Sequence, residues 1–391
     1  MARTPPPARS SLIEHPDLAG TAQAAQPVPL VDLNYQHSLI ADAVERGWER
    51  VARTGAFVLG EDVQAFEGAF AAFTGVRHCV GVASGTDAVE LALRAFGVGR
   101  GDEVIVPTNS FIASATAVVR AGATPVLVDV DPTYLLLDPE RVAARLTSRT
   151  RAILAVHLFG QMAPMGELSR MSGERTLLLE DAAQAHGASQ HGIGVGGYGV
   201  AAATSFYPGK NLGAYGDGGA VLTSGDGVAR KVRALRDHGS VAKYQHPELG
   251  FNSRLDTLQA VVLGAKLPFL RAWNDARRDA ARRYDELLQD LPMVVPPKVL
   301  AGNDHVWHLY VIRVPNRDEV LTRLHGAGVG AGIHYPIPIH LQGAFRGLGH
   351  ARGDFPVAER ASREILSLPI YPGITPEQQE RVVHELGKAF R

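Results

Sequence analysis

The sequence holds a single cysteine, Cys79, so no internal disulfide can form and stability must come from packing. That usage suits a reducing, cytoplasmic compartment. Excess charge is missing as well: 39 Lys and Arg face 40 Asp and Glu, for a net charge of −1. Such a balance offers no global attraction for nucleic acid or an anionic membrane surface. Long apolar runs are also absent. Stretches such as "EVIVP" and "TPVLVDV" fall far short of the ~20 residues that a membrane-spanning helix needs. The first 27 residues are rich in Pro, Ala and Ser and lack the continuous apolar core of a signal peptide. They read as a disordered tail.

What is present is an ordinary globular composition, 46% apolar and 20% charged over 391 residues. That length accommodates a large domain and a smaller one. From His78 onward short apolar runs alternate with helical ones: "HCVGVA", "DAVELALRAFG", "DEVIVP", "SATAVVRAG", "TPVLVDV", and on through "RAILAVHL" and "RTLLLED". This alternation predicts an α/β fold with a mainly parallel sheet, and the nearly unbroken apolar character of the strands predicts helices on both faces. One longer helical stretch is expected from about residue 254 to 291. After the Pro-rich "LPMVVPPKVLAG" the texture changes, which predicts a large domain over 28–270 and a smaller α+β domain over 271–391.

Four stretches of the large domain carry chemistry. In "GVASGTDAVELAL" a strand ends and a helix begins after Ser84-Gly85-Thr86. Gly85 admits close backbone approach and the helix N-terminus favours a phosphate, although a ligand-free helix start reads the same way. Asp87 and Glu90 there suit a capping box. In "VPTNSFIASATAV" Phe111 lies at the same sheet edge, placed either to cover a flat ring or to fill the core. In "LLLEDAAQAHGA" Asp181 ends a buried strand, where ligands of open α/β sheets gather. A carboxylate buried there needs a partner such as a protonated ring nitrogen, or else serves as a helix cap. Gln184 and His186 follow it, placed to reach a cofactor substituent, and His186 reads equally as a hydrogen-bonded core histidine.

The fourth stretch is "TSFYPGKNLGAYGDGGAVLTSGD", in which Lys210 stands alone among small and aromatic residues, with Ser205 five positions before it. Such a lysine suits Schiff-base chemistry with an aldehyde, and alone it also reads as a surface lysine. Asp217 to Gly219 suit a tight turn, with the glycines there giving positive φ. A phosphate cradle, a ring cover, a carboxylate for a pyridinium and an amine for an imine are together the requirements of pyridoxal 5'-phosphate.

Those motifs, together with "GFNSRLDTLQAVVL" and "HYPIPIHLQGAF", resemble the DegT/DnrJ/StrS-type nucleotide-sugar aminotransferases from about Val28 to Phe390. The resemblance implies the fold type I architecture of pyridoxal phosphate enzymes, with a mixed, mainly parallel seven-stranded sheet and a smaller C-terminal domain. It implies that Lys210 carries the cofactor and Asp181 pairs with the pyridinium. Gly85, Thr86 and Ser205 would hold the phosphate, Phe111 would cover the ring and Gln184 would reach a ring substituent. Asn252 would reach the phosphate of a neighbouring subunit in a homodimer with shared sites. His186, Arg254, His334, Tyr335 and His340 would border the substrate, and no metal is implied. "GFNSRLDTLQAVVL" with "KLPFLRAWNDARR" is most similar to the branch that aminates C3 of a dTDP-3-oxo-6-deoxyhexose from L-glutamate. C4 amination and amination of a cyclitol ketone are the alternatives on this fold, beside a non-catalytic cofactor-binding regulator. A desulfurase would want a cysteine on a mobile loop, and Cys79 falls in an expected strand.

Overall fold

The computed structural model describes residues 26–390; the expected tail at 1–27 therefore lies almost wholly outside the described residues. Seven strands form the central sheet: β1 (His78–Val82), β2 (Glu103–Pro107), β3 (Thr124–Val128), β4 (Thr150–Val156), β5 (Leu177–Asp181), β6 (Ala201–Ser205) and β7 (Gly219–Thr223). Their order is β1-β7-β6-β5-β4-β2-β3. All pairings are parallel except those of β7, which runs against both β6 and β1.

Strict alternation along the strands divides the core in two. Val80, Val82, Val104, Val106, Leu154 and Leu179 point to one face, and Cys79, Ile105, Ile153, Leu178 and Leu222 to the other. The first face is covered by α3 (Gly85–Ala95), α4 (Ile112–Ala121) and α5 (Asp226–Arg236). The second is covered by α2 (Glu61–Thr74) and α6 (Thr257–Lys266), and α1 (Asn34–Thr54) packs on α6 through Ile40, Val44 and Val262. The nearly unbroken apolar character of the strands follows from this double cover.

The helical stretch expected over about 254–291 is present as two helices. Pro268 sits in a 3-10 turn, Leu267–Phe269, that separates α6 from α7 (Leu270–Leu287). Proline lacks the N–H an α-helix interior requires. A second core gathers the C-terminal elements: α7, β8 (Tyr310–Arg313), α8 (Arg317–Gly326), β9 (Ile365–Leu368) and α10 (Pro376–Lys388). Val28 joins it, exchanging backbone hydrogen bonds with Gly328 and Gly330. α9 (Pro356–Glu364) instead packs toward the large sheet through Ala358 and Ala361.

Parallel strands share one carboxyl edge. Ser84, Thr108 to Phe111, His157, Asp181 and Ser205 therefore emerge side by side, and the reversed β7 brings Gly219 to the same edge opposite Val82 and Ser205.

Candidate active site

A cavity of about 440 Å³ opens at that edge. Its lining brings together Gly85, Thr86, Phe111, Asp181, Gln184, Ser205, Lys210, His334 and Tyr335 from the residues singled out in the sequence.

One wall is a cradle of converging backbone. A Cβ on Gly85 would stand 2.6 Å from the Ser205 Cβ, and one on Gly219 would stand 2.4 Å from the Ser84 carbonyl. Only glycine permits this approach. The expected positive φ of the Gly-Asp-Gly-Gly turn is not found: neither Gly218 nor Gly219 adopts it, and their value is close approach. Ser84 caps α3 alone, its hydroxyl accepting from the Asp87 N–H at 3.1 Å. The expected capping box does not form, because Glu90 pairs with Arg94 and Arg120. The remaining free N–H groups of α3, with the hydroxyls of Thr86 and Ser205, suit a phosphate.

Lys210 is fixed from behind. Its backbone N–H donates to Tyr207 at 2.9 Å. The next residue, Asn211, is buried and donates to Asn274 and Val306, while His308 donates to it at 3.1 Å. Among the described residues no carboxylate forms an ion pair with the amine. Burial pulls it from 10.5 to about 8, opposed by the negative charge of Asp181.

Asp181, at the end of β5, is buried. Its Oδ2 accepts from the Ser114 hydroxyl at 2.7 Å and its Oδ1 from the Ala183 N–H at 3.2 Å. The Phe111 ring, 52% exposed, lies 5.2 Å from that of Tyr335. Gln184 accepts from the Phe159 N–H at 2.6 Å and donates to the Tyr335 hydroxyl at 3.2 Å. Burial raises that hydroxyl's pKa, and Asp181 adds to the effect. His334 pairs with Ser367 at 2.8 Å, and burial, with the Lys210 charge adding, lowers its pKa to about 4. It is a neutral ring at the cavity wall.

Four expected residues lie elsewhere. His186 is a core residue: its Nε2 meets the Thr204 hydroxyl at 2.9 Å, its ring stacks on Phe206, and burial drives its pKa to about 3. His340 is also buried, tied to Thr108 at 2.9 Å and Glu359 at 3.1 Å. It fastens α9 to the end of β2 and does not line the cavity. Arg254 is held by Asp237 at 2.8 Å. Asn252 bridges to Asp237 through its backbone, is exposed, and does not line its own chain's cavity. Conversely, Leu30, Val31, Ser110, Ser114, His157 and His308 line the cavity without having been singled out. Only their positions after strands gave a signal for some of them.

The set fits a planar, phosphorylated ring that bears an aldehyde and a basic nitrogen: a cradle closed to any side chain, an exposed aromatic cover, a buried carboxylate and an unpaired amine. Among the described residues no group of three or more His, Cys, Asp or Glu is arranged to hold a metal ion. No helix among them is long and apolar enough to cross a membrane.

Comparison with known proteins places the chain among aminotransferases. The chain is 44% identical to the dTDP-3-amino-3,4,6-trideoxy-alpha-D-glucose transaminase of Streptomyces venezuelae, over 91% of this chain and 94% of that one. It is also 44% identical to the pleiotropic regulatory protein of Geobacillus stearothermophilus, over 93% and 99%. The crystal structure of S. venezuelae DesV in complex with a ketimine intermediate superposes with a TM-score of 0.91 at 43% identity, covering 94% of this chain and all of that one. The sequence profile of the DegT/DnrJ/EryC1/StrS aminotransferases matches residues 40–387, and the chain belongs to that family.

Proposed function

We propose that this protein is a pyridoxal phosphate-dependent aminotransferase that moves an amino group from L-glutamate to C3 of a dTDP-3-oxo-6-deoxyhexose. The observation that carries the reading is the pairing, across one cavity, of an unpaired lysine with a buried carboxylate beside a backbone cradle. The bound cofactor supplies a carbonyl that takes up the amino group and a ring that absorbs the electron pair left on carbon. Lys210 would hold the cofactor at rest. Its freed amine would carry the proton away from the donor's α-carbon and, in the second half-reaction, deliver a proton to the sugar carbon that receives the amino group. Asp181 would pair with the ring nitrogen and favour its protonated form. Ser205, Gly85 and Thr86 would hold the phosphate, and Phe111 would cover the ring.

The activity for which the S. venezuelae transaminase is named supports a dTDP-linked sugar aminated at C3. Tyr335 and His334 line the same cavity and are suited to meet the sugar. Asn252 is exposed and does not line its own chain's cavity, which leaves it free to reach the partner's phosphate in a homodimer with shared sites.

A second reading follows from the regulatory name of the Geobacillus relative: a cofactor-binding regulator without turnover. One experiment separates the two. The protein is incubated with glutamate and a panel of 3-oxo and 4-oxo nucleotide sugars, and products are scored by mass and NMR. A 3-amino sugar supports the proposal. A 4-amino product would move the ring position, and cofactor binding without turnover on any member would favour the regulator.

A further inference from the structure

The Asp181 carboxylate does not stand alone beneath the cavity. Ser114, on the first turn of α4, donates to its Oδ2 at 2.7 Å. The Ser114 oxygen in turn lies 2.7 Å from the hydroxyl of Ser110, in the turn that precedes α4. Both serines are at most 3% exposed, and both line the cavity beside Asp181.

The direction of this chain follows from donor counting. A carboxylate only accepts, and a serine hydroxyl has one proton. The Ser114 proton is committed to Asp181, so its oxygen can only accept from Ser110. The order is Ser110 to Ser114 to Asp181. Hydrogen bonds in such a chain polarise one another in a low-dielectric interior, so Ser110 strengthens a bond it does not itself make. The Oδ1 oxygen is held separately by the Ala183 N–H. With one fixed donor on each oxygen, the carboxylate plane cannot rotate freely.

We infer that Ser114, backed by Ser110, is a positioning residue that fixes the Asp181 carboxylate for the ring nitrogen of the cofactor; the inference rests on the aminotransferase reading above. It explains why a hydroxyl is kept at a fully buried position on an otherwise apolar helix face, where Ala115, Ala117 and Val118 pack. A small apolar residue would fill the space equally well.

The test uses the full-length chain, freed of cofactor and titrated with pyridoxal phosphate or with its 1-deaza analogue, in which carbon replaces the ring nitrogen. Binding is read by fluorescence for wild type, Ser114→Ala, Ser110→Ala and the double variant. Ser114→Ala should weaken pyridoxal phosphate binding roughly tenfold, the size expected for one hydrogen bond to a charged group. The deaza analogue, which offers Asp181 no partner, should bind wild type and Ser114→Ala alike. Ser110→Ala should cost less, and the double variant no more than Ser114→Ala alone, because the two act in series. Equal weakening for both ligands would make the serines mere packing, and multiplicative losses in the double variant would make them independent. Either result overturns the inference. Wild-type turnover with glutamate on the same preparation shows whether the aminotransferase reading itself has failed.

Discussion

Lys210 should titrate near pH 8 in the cofactor-free protein. Burial disfavours the charged amine and lowers its pKa from 10.5 to about 8, against the pull of Asp181. At pH 7 roughly a tenth of such an amine is neutral, against about one part in 3,000 for an ordinary lysine, a gain of roughly 300-fold in the nucleophilic form. The perturbation is Asp181→Asn, which removes the charge that favours the ammonium while keeping the shape. The midpoint should therefore fall below that of wild type. The assay is competitive acetylation across pH 6 to 11, with the modified Lys210 peptide quantified by mass. A wild-type midpoint near 10, or a rise on Asp181→Asn, would refute the reasoning, because desolvation or the Asp181 charge would then not govern the amine.

Gly85→Ala should overpack the cradle, since the new Cβ would lie 2.6 Å from that of Ser205; the cost is about 1–3 kcal/mol, read by calorimetry as a lower Tm together with weaker cofactor binding. Lys266 is fully buried against the Gly213 carbonyl at 2.7 Å and the Tyr215 ring, and burial lowers its pKa to about 8. The unfolded chain, with an ordinary lysine, binds more protons between about pH 8 and 10.4, so stability rises with pH across that window. Urea unfolding of Lys266→Met should show a flatter rise over the same range, by up to about 3 kcal/mol, and an unchanged slope would remove Lys266 as its source. For the shared site, Lys210→Ala and Asn252→Asp homodimers should each be nearly inactive. Randomly re-paired mixtures should recover to roughly a quarter of wild-type activity, because half the dimers then hold one intact site of two; verified mixed dimers without recovery would place Asn252 in its own chain's site.

Much of the sheet was legible because strands covered on both faces must be nearly all apolar, as "VIVP" and "AILAV" are. The lysine loop gave a signal only in company: Lys210 alone reads as a surface lysine, and the cradle, ring-cover and carboxylate motifs at the other strand ends are what point it to an imine. Burial was the missing quantity elsewhere. His186 and His340 stand beside the site motifs in sequence, yet neighbours along a chain point in different directions, and both rings turn into the core. Ser110 and Ser114 carried no signal, since a serine before or within a helix reads as a cap or a solvent-facing residue. Their role depends on β5 lying beside them in space. The Gly-Asp-Gly-Gly turn was read as a matter of φ and proved to be one of space, a distinction that rests on where Ser84 stops.

The central claim is that Lys210 is the residue joined to the cofactor. Borohydride reduction of the protein loaded with pyridoxal phosphate makes that linkage permanent, and peptide mass mapping then locates it. The account predicts one phosphopyridoxyl group per chain, on the peptide containing Lys210, and none in Lys210→Ala treated alike. Stoichiometric label on another lysine, such as the buried Lys266, or an unchanged label in Lys210→Ala, would contradict it.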